Sequence, residues 1–305
     1  LITALKIMDI KGEVITAPFS FLATANSLVW NNLNPVFVDI DPITANLNPE
    51  KIEAAITPNT SAIMPIHAYG YPCEVDKINS IAKKYKLKVI YDAAHAFGVK
   101  DKSGSILQYG DISVLSFHAT KVFNTFEGGA IICKDKDIKK SIDDFKNFGF
   151  SSETSADQIG LNAKMSEFNA ALGLLQLKQI DSDIEKRQII DSTYRLALKD
   201  IPGIRCHIKL NNGRNNFGYF PIFIDHTYPI TRDQLYKKLR DNQILVRRYW
   251  YPLITDFSIY QNSEYDSKKN FVNSIKIAES VICLPIYPDL SQKEIEQVID
   301  IIRLN

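Results

Sequence analysis

The sequence predicts an α/β protein with a large domain built on a mostly parallel sheet, followed by a smaller α+β domain. Two observations lead to this prediction. Over residues 13–133, short and almost continuously apolar runs alternate with segments at helical spacing, which is typical of parallel strands covered on both faces. From residue 164 onward the pattern changes to long helical periodicity, so we expect domains at 1–180 and 181–305.

The first domain repeats a strand–helix–strand pattern. At the start of the chain, Leu1, Ile2, Leu5 and Met8 have the spacing of a helix body without a capping residue, so we expect that a segment of the protein precedes Leu1. Strands are predicted at 13–18, 35–39, 61–66, 87–91, 111–117 and 129–133, and helices at 24–32 and 75–85.

The second part of the chain mixes helices and strands. The periodicity over residues 164–198 predicts one long helix or two in succession. Strands are predicted at 218–224 and 244–249, and helices at 275–280, at 232–242 after a cap near Thr231, and at 291–302, where Ser291 and Glu294 have capping-box spacing.

Composition excludes several classes of protein. The chain of 305 residues has 36 basic and 35 acidic side chains, a net charge of +1, so we expect no nucleic-acid partner. No apolar run approaches the ~20 residues of a membrane span, and we expect a cytoplasmic protein. Cys73, Cys133, Cys206 and Cys283 are far apart, which favours buried free thiols over a metal site or disulfides.

An aspartate and a lysine each follow a predicted strand. Asp92 comes directly after the strand at 87–91, and Lys121 lies 29 residues later, beyond the strand at 111–117. Ligands of open α/β sheets bind at the edge where the carboxyl ends of the parallel strands meet, so both side chains could face one crevice. A pyridoxal phosphate enzyme needs a lysine and a carboxylate in such a crevice. From the pattern alone, a helix cap and a solvated surface charge remain the commoner explanations of the two residues.

Several motifs resemble the DegT family of nucleotide-sugar aminotransferases. They are YDAAHA at 91–96, SFHATK at 116–121 followed by EGG at 127–129, and GLNAKM at 160–165. Residues 18–24, 35–39 and 284–288 match as well, so the resemblance covers essentially the whole chain in order. It implies a fold-type-I, homodimeric enzyme that uses pyridoxal 5′-phosphate.

The resemblance also implies roles for individual residues. Lys121 would be the catalytic lysine that forms an imine with the cofactor, and Asp92 would pair with the pyridine nitrogen. His95, where many members carry glutamine, would donate to the phenolic oxygen, with a core histidine as the alternative. Phe21 would stack on the cofactor ring, unless it only fills the core, and Ser116 would bind the phosphate unless it is a plain strand-end hydroxyl.

Further residues would face the partner subunit or the substrate. Asn162 matches the asparagine that reaches the partner subunit's cofactor, although a simple turn role is the alternative. His118 and Glu127 flank the lysine and could meet the sugar or its pyrophosphate as well as pack. Arg247, Arg248 and Tyr251 are candidates for the nucleotide, with a solvated charge pair as the alternative for the two arginines. His67 is a site-lining or structural histidine, and Gly128 and Gly129 would allow close backbone approach.

One family feature is absent from the sequence as given. Members bind the cofactor phosphate with a Gly-Thr or Gly-Ser turn before the first helix. A fragment of a longer protein and a natural truncation would both explain its absence, and the uncapped start at Leu1 favours the fragment. The resemblance implies transfer of an amino group from L-glutamate to dTDP-4-keto-6-deoxy-D-glucose, in a pathway such as lipopolysaccharide O-antigen synthesis. Amination of a 3-keto sugar is the runner-up, and a catalytically silent regulatory relative and a sugar dehydratase stay open, although Lys121 argues against a dehydratase.

Overall fold

The computed structural model describes residues 1–261 and 271–304. Its strands are β1 (Glu13–Thr16), β2 (Asn34–Phe37), β3 (Thr60–Ile63), β4 (Lys88–Asp92), β5 (Lys100–Asp101), β6 (Gly104–Ser105), β7 (Ile112–Ser116), β8 (Gly129–Cys133), β9 (Phe150–Ser152), β10 (Ser155–Ala156), β11 (Ile204–Cys206), β12 (Phe220–Ile224) and β13 (Val281–Leu284). Its helices are α1 (Ile2–Ile7), α2 (Leu22–Trp30), α3 (Val75–Tyr85), α4 (Lys136–Phe145), α5 (Glu167–Leu177), α6 (Ile180–Leu198), α7 (Arg232–Asp241), α8 (Ser258–Gln261), α9 (Val272–Ser280) and α10 (Gln292–Arg303).

The large sheet has six strands in the order β2-β1-β3-β4-β7-β8. Every neighbouring pair is parallel except β7 and β8, which pair antiparallel. The carboxyl ends of the five parallel strands therefore meet at one edge, where β8 begins. This confirms the prediction of a mostly parallel sheet, and it explains why the central strands are nearly continuously apolar.

A smaller antiparallel sheet follows, in the order β11-β12-β13. Helices α6, α7 and α10 cover it and bury a core of aliphatic and aromatic side chains, among them Tyr194, Phe220 and Leu235. Helix α7 begins at a capping box formed by Thr231 and Gln234, and α10 at one formed by Ser291 and Glu294. Both N-termini lie where the sequence predicted them.

Helix α6 connects the two parts of the chain. Near its start, Ile180 and Ile184 pack with residues of the large sheet, whereas Tyr194 and Leu198 pack with the small sheet. This packing supports a boundary near residue 180, which stays a prediction. The two helices α5 and α6 settle the alternative left open for residues 164–198.

One predicted strand is wrong. Residues 244–249 form no strand, because Arg247 makes only an isolated bridge with Cys283 beside β13. The alternating apolar side chains Ile244 and Val246 are instead buried in the core of the small sheet. Among the cysteines, Cys73 and Cys283 are buried, while Cys133 and Cys206 are partly exposed.

Within residues 1–261 and 271–304, no helix combines the length and the apolar character that crossing a bilayer requires.

Candidate active site

A cleft of about 1580 Å³ opens at the carboxyl edge of the large sheet. Its walls come from the ends of β4 and β7, the start of β8, the loop before α2, and residues that flank the small sheet. Nine of the predicted residues line it: Phe21, Asp92, His95, Ser116, His118, Lys121, Glu127, Gly128 and Gly129. Strands β4 and β7 are neighbours in parallel register, which is why residues 29 positions apart meet in one cleft.

Asp92 is the last residue of β4 and is only 6% exposed. The Thr24 hydroxyl donates to its Oδ2 at 2.8 Å, and the Ala94 backbone N–H donates to its Oδ1 at 3.2 Å. Ser20 Oγ in turn lies 2.8 Å from the Thr24 hydroxyl. A buried carboxylate requires such donors, and here they fix its orientation toward the cleft.

Lys121 lies in the loop between β7 and β8. Its Nζ donates a hydrogen bond of 3.2 Å to the hydroxyl of Tyr219. Burial lowers the pKa of the Lys121 amine, and the nearby Asp92 carboxylate opposes part of that effect. A lowered pKa raises the fraction of neutral amine at neutral pH, the form that attacks a carbonyl.

His95 follows β4 and is 8% exposed. Its ring lies almost parallel to that of Trp250, at 7° with 5.2 Å between centroids, and it contacts the Tyr219 ring at 4.6 Å. Burial, and to a smaller extent the neighbouring Lys121, lowers the pKa of His95 well below its usual value, so the imidazole is neutral. Its Nδ1 is buried without a hydrogen-bond partner within the described residues.

Phe21 and Ser116 both line the cleft. The Phe21 side chain is 63% exposed, so it does not fill the core and is free to cover a flat ligand. Ser116 ends β7, and its Oγ accepts a hydrogen bond of 3.3 Å from the His118 backbone N–H. The hydroxyl keeps its own proton available for donation to an anion.

His118 and Glu127 face each other at the rim. Nε2 of His118 lies 3.8 Å from a Glu127 carboxylate oxygen, and its Nδ1 lies 2.9 Å from the Thr120 hydroxyl. The predicted backbone roles of the two glycines agree with the geometry. Gly128 has a φ of 155°, and a Cβ on Gly129 would lie only 2.7 Å from the Leu115 carbonyl oxygen.

Four predicted residues lie away from the cleft walls. Asn162 is exposed and accepts a hydrogen bond of 3.0 Å from Lys164 Nζ. Arg248 donates to Asp233 at 2.8 Å and stacks over Tyr251, with 4.9 Å to the ring centroid. Arg247 is exposed beside β13. None of these four side chains contributes to the cleft as the described residues form it.

His67 has the surroundings of a structural histidine. Its ring is fully buried and stacks on Tyr91 at 4.6 Å, and its Nδ1 accepts from the Cys73 backbone N–H at 3.1 Å. Burial lowers the pKa of His67 to about 3. The side chain is therefore a neutral part of the core and does not line the cleft.

Three residues of the site were not singled out by the sequence pattern. Thr24 holds Asp92, Tyr219 contacts Lys121, and Trp250 stacks on His95. Thr24 sits in a stretch that matched the family, whereas Tyr219 and Trp250 come from distant segments. Their only sequence signal is an aromatic residue beside an apolar run, which is equally typical of a core.

The donor set fits a pyridoxal-type cofactor. A buried carboxylate suits a protonated pyridine nitrogen, and an amine with a lowered pKa suits an aldehyde. Among the residues that the structure describes, the buried Nδ1 of His95 has no hydrogen-bond partner, and a ligand could provide one. Exposed Phe21 adds an aromatic side chain to the largely apolar lining of the cleft.

Comparisons with known proteins found matches over almost the whole chain. A family model described as the DegT/DnrJ/EryC1/StrS aminotransferase family matches residues 1–303. A relative from Shigella dysenteriae, named dTDP-4-amino-4,6-dideoxy-D-glucose transaminase, is 54% identical over 304 residues, which cover 99% of this chain and 82% of the relative. A relative of the same name from Escherichia coli is 48% identical, covering 98% of this chain and 81% of the relative.

A solved structure shares the architecture. DesI, crystallised in the presence of its TDP-sugar product, superimposes with a TM-score of 0.93 at 35% identity, covering 99% of this chain and 76% of DesI. This overlap confirms the predicted aminotransferase fold with its large and small sheets.

Proposed function

Because this chain belongs to the DegT/DnrJ/EryC1/StrS aminotransferase family, we propose that it transfers an amino group to a nucleotide-linked keto-deoxy sugar with pyridoxal 5′-phosphate as cofactor. The observation that carries the proposal is the convergence of Lys121 and Asp92 in one cleft. The names of the relatives at 54% and 48% identity support dTDP-4-keto-6-deoxy-D-glucose as the acceptor. The product would be the 4-amino sugar.

Four side chains would hold the cofactor. Asp92, fixed by Thr24, would pair with the ring nitrogen, and neutral His95 would offer an N–H to the phenolic oxygen. Phe21 would cover one face of the ring. Ser116 would bind the phosphate. When bound, the cofactor supplies an electron sink for a negative charge that develops on the substrate carbon.

Lys121 would have two tasks. Its amine anchors the cofactor covalently, and once an amino substrate displaces it, the freed amine carries a proton. With L-glutamate as donor, Lys121 would take the proton from the glutamate α-carbon. With the keto sugar as acceptor, it would deliver a proton to the sugar carbon that receives nitrogen. An amine with a lowered pKa can do both near neutral pH.

We propose that the active unit is a homodimer. Helix α5 is apolar, yet Gly173 is its only fully buried residue, and Phe168, Leu174 and Leu175 are all more than half exposed. A contiguous apolar face of this kind is typical of a protein interface. A second copy covering α5 would bring exposed Asn162 near the partner's site, and analytical ultracentrifugation would show a dimer.

The first experiment tests covalent attachment. The protein is incubated with pyridoxal 5′-phosphate, reduced with borohydride and digested, and we expect the added mass on the peptide that contains Lys121. Lys121→Ala should abolish this label, whereas Lys237→Ala, which removes an exposed lysine of α7, should keep it. Labelling elsewhere, or equal labelling of both variants, contradicts the proposal.

The second experiment tests substrate and regiochemistry. The reconstituted enzyme is supplied with L-glutamate and a panel of dTDP- and UDP-linked 3-keto and 4-keto sugars. We expect the 4-amino product from dTDP-4-keto-6-deoxy-D-glucose to form fastest. Faster conversion of a 3-keto sugar would reassign the acceptor, and no conversion of any sugar together with no consumption of glutamate would favour a silent regulatory relative.

A further inference from the structure

We propose that Tyr219 is a positioning residue that holds the Lys121 amine in place in both of its protonation states. This inference rests on the proposed function, since it concerns the amine that carries the proton. Tyr219 Oη lies 3.2 Å from Lys121 Nζ, and Nζ lies 5.8 Å from the centre of the phenol ring. The amine therefore meets the ring at its hydroxyl end.

The phenol ring has little freedom to move. It contacts His95 at 4.6 Å, Tyr69 at 5.9 Å and Tyr249 at 5.9 Å between ring centroids. Tyr219 directly precedes β12, so the backbone on one side is fixed by the small sheet. A ring that packs against three other rings holds its hydroxyl at a defined position. The hydrogen-bond partner of the Lys121 amine is therefore fixed in space.

The hydrogen bond between Tyr219 and Lys121 can form in either protonation state of the amine. Burial, with smaller effects from Tyr249 and Cys283, raises the pKa of Tyr219, so the phenol keeps its proton. A phenol hydroxyl has one donor and free lone pairs. It accepts from the amine when the amine is protonated and donates to it when the amine is neutral.

The contact also joins the two parts of the chain. Lys121 belongs to the loop between β7 and β8 of the large sheet, and Tyr219, 98 positions away in sequence, directly precedes β12 of the small sheet. The charged and titratable groups near the amine are Asp92 at the end of β4 and His95 after it. Asp92 attracts the ammonium, and His95 is neutral and adds no charge to the site. We infer that the hydrogen bond to Tyr219 sets the direction in which the Lys121 amine points.

The test measures Lys121 in cofactor-free protein. The protein is labelled with acetic anhydride across a pH series, and acetylation of the Lys121 peptide is quantified by mass spectrometry. In Tyr219→Phe both protonation states of the amine lose a hydrogen bond, and the bond made by the ammonium is the stronger because it is charge-assisted, so we expect the labelling midpoint to fall by about one pH unit. Tyr249→Phe is the matched control, because Tyr249 and Lys121, both within the described residues, share no hydrogen bond, and its midpoint should stay at the wild-type value.

Two outcomes would overturn the proposal. An unchanged midpoint in Tyr219→Phe would mean that the ring only fills space, and an equal shift in Tyr249→Phe would mean that general polarity of the wall sets the pKa. Tyr219→Met, measured in parallel, removes the same hydroxyl should the phenylalanine variant fold poorly. Neither substrate nor cofactor is present, so failure of transamination by the wild-type enzyme would count against the proposed function and leave this result standing.

A kinetic measurement complements the labelling. In the reconstituted enzyme, Tyr219→Phe should lower kcat by about tenfold or more with KM for the sugar nearly unchanged, since the residue acts on proton transfer and not on substrate binding. A rise in KM at constant kcat would contradict a positioning role.

Discussion

The hydroxyl of Thr24 donates a hydrogen bond of 2.8 Å to Oδ2 of Asp92, between helix α2 and the end of strand β4. Thr24 is 1% exposed and Asp92 is 6% exposed, so the bond is largely buried in the wall of the cleft. The residues are 68 positions apart in sequence. Through this bond the first helix–strand unit orients the carboxylate of the candidate site.

Replacing Thr24 with valine should destabilise the protein. Valine keeps the shape but leaves a buried carboxylate oxygen without its donor, which costs about 1–3 kcal/mol in the free energy of unfolding. Urea denaturation measures the loss. Thr193→Val is the control, because that hydroxyl donates within its own helix to Ile189, and it should change stability by less than about 0.5 kcal/mol. Equal effects of the two variants would argue against a special role of the Thr24 bond.

Two substitutions of His95 should separate hydrogen bonding from packing. Glutamine retains a donor, so we expect His95→Gln to bind pyridoxal 5′-phosphate within about threefold of wild type, whereas His95→Leu loses the donor and should bind about 10- to 100-fold more weakly. Absorbance titration with the cofactor measures both. Asn216 donates at 2.7 Å to the backbone oxygen of His95, a bond that neither change removes. Equal affinity of the two variants would show that the side chain only packs.

Much of the fold could be predicted from local pattern. The bounds of α3 and β8 match the prediction to the residue, because an amphipathic repeat and a short apolar run each end at clear polar positions. Asp92 and Lys121 could be placed in one cleft because the ends of neighbouring parallel strands share an edge. The helix caps at Thr231 and Ser291 could also be predicted, because a capping box is defined by residues three positions apart.

The sequence pattern could not predict site residues that depend on contacts between distant segments. Tyr219 contacts Lys121 from 98 positions away in sequence, and Trp250 contacts His95 from another part of the chain. No local sequence pattern predicts either contact. Helix α4 was missed because charged residues dominate it, although Asp135 caps it through two backbone N–H groups. The strand predicted at 244–249 failed because side chains at alternate positions can be buried without a partner strand.

Gly129 should not tolerate a side chain. A Cβ there would lie 2.7 Å from the Leu115 carbonyl oxygen on the paired strand β7, so β7 and β8 must separate. We expect Gly129→Ala to lower the free energy of unfolding by about 2–3 kcal/mol. Ala130→Gly, on the same strand, should cost only about 0.5–1 kcal/mol. If thermal and urea unfolding rank the two variants in the opposite order, the steric explanation is wrong.

Buried His67 should make stability depend on pH. Burial lowers its pKa in the folded protein to about 3 from the ordinary histidine value of 6.5, so below pH 6.5 the unfolded chain binds a proton that the folded chain does not. The stabilisation is complete above about pH 6.5 and is lost as pH falls toward 3. Between pH 7.5 and 5.5 this one group should remove about 1.4 kcal/mol from the free energy of unfolding.

A variant isolates the contribution of His67. His67→Asn replaces the imidazole with an amide whose oxygen can accept from the Cys73 backbone N–H, as Nδ1 does at 3.1 Å, and it does not titrate. Its unfolding free energy should therefore fall by about 1.4 kcal/mol less than that of wild type over the same two pH values. His207, whose pKa burial lowers to about 4, adds the same dependence to both proteins and cancels in the difference. Identical pH profiles for wild type and His67→Asn would mean that His67 is protonated or exposed in the folded state.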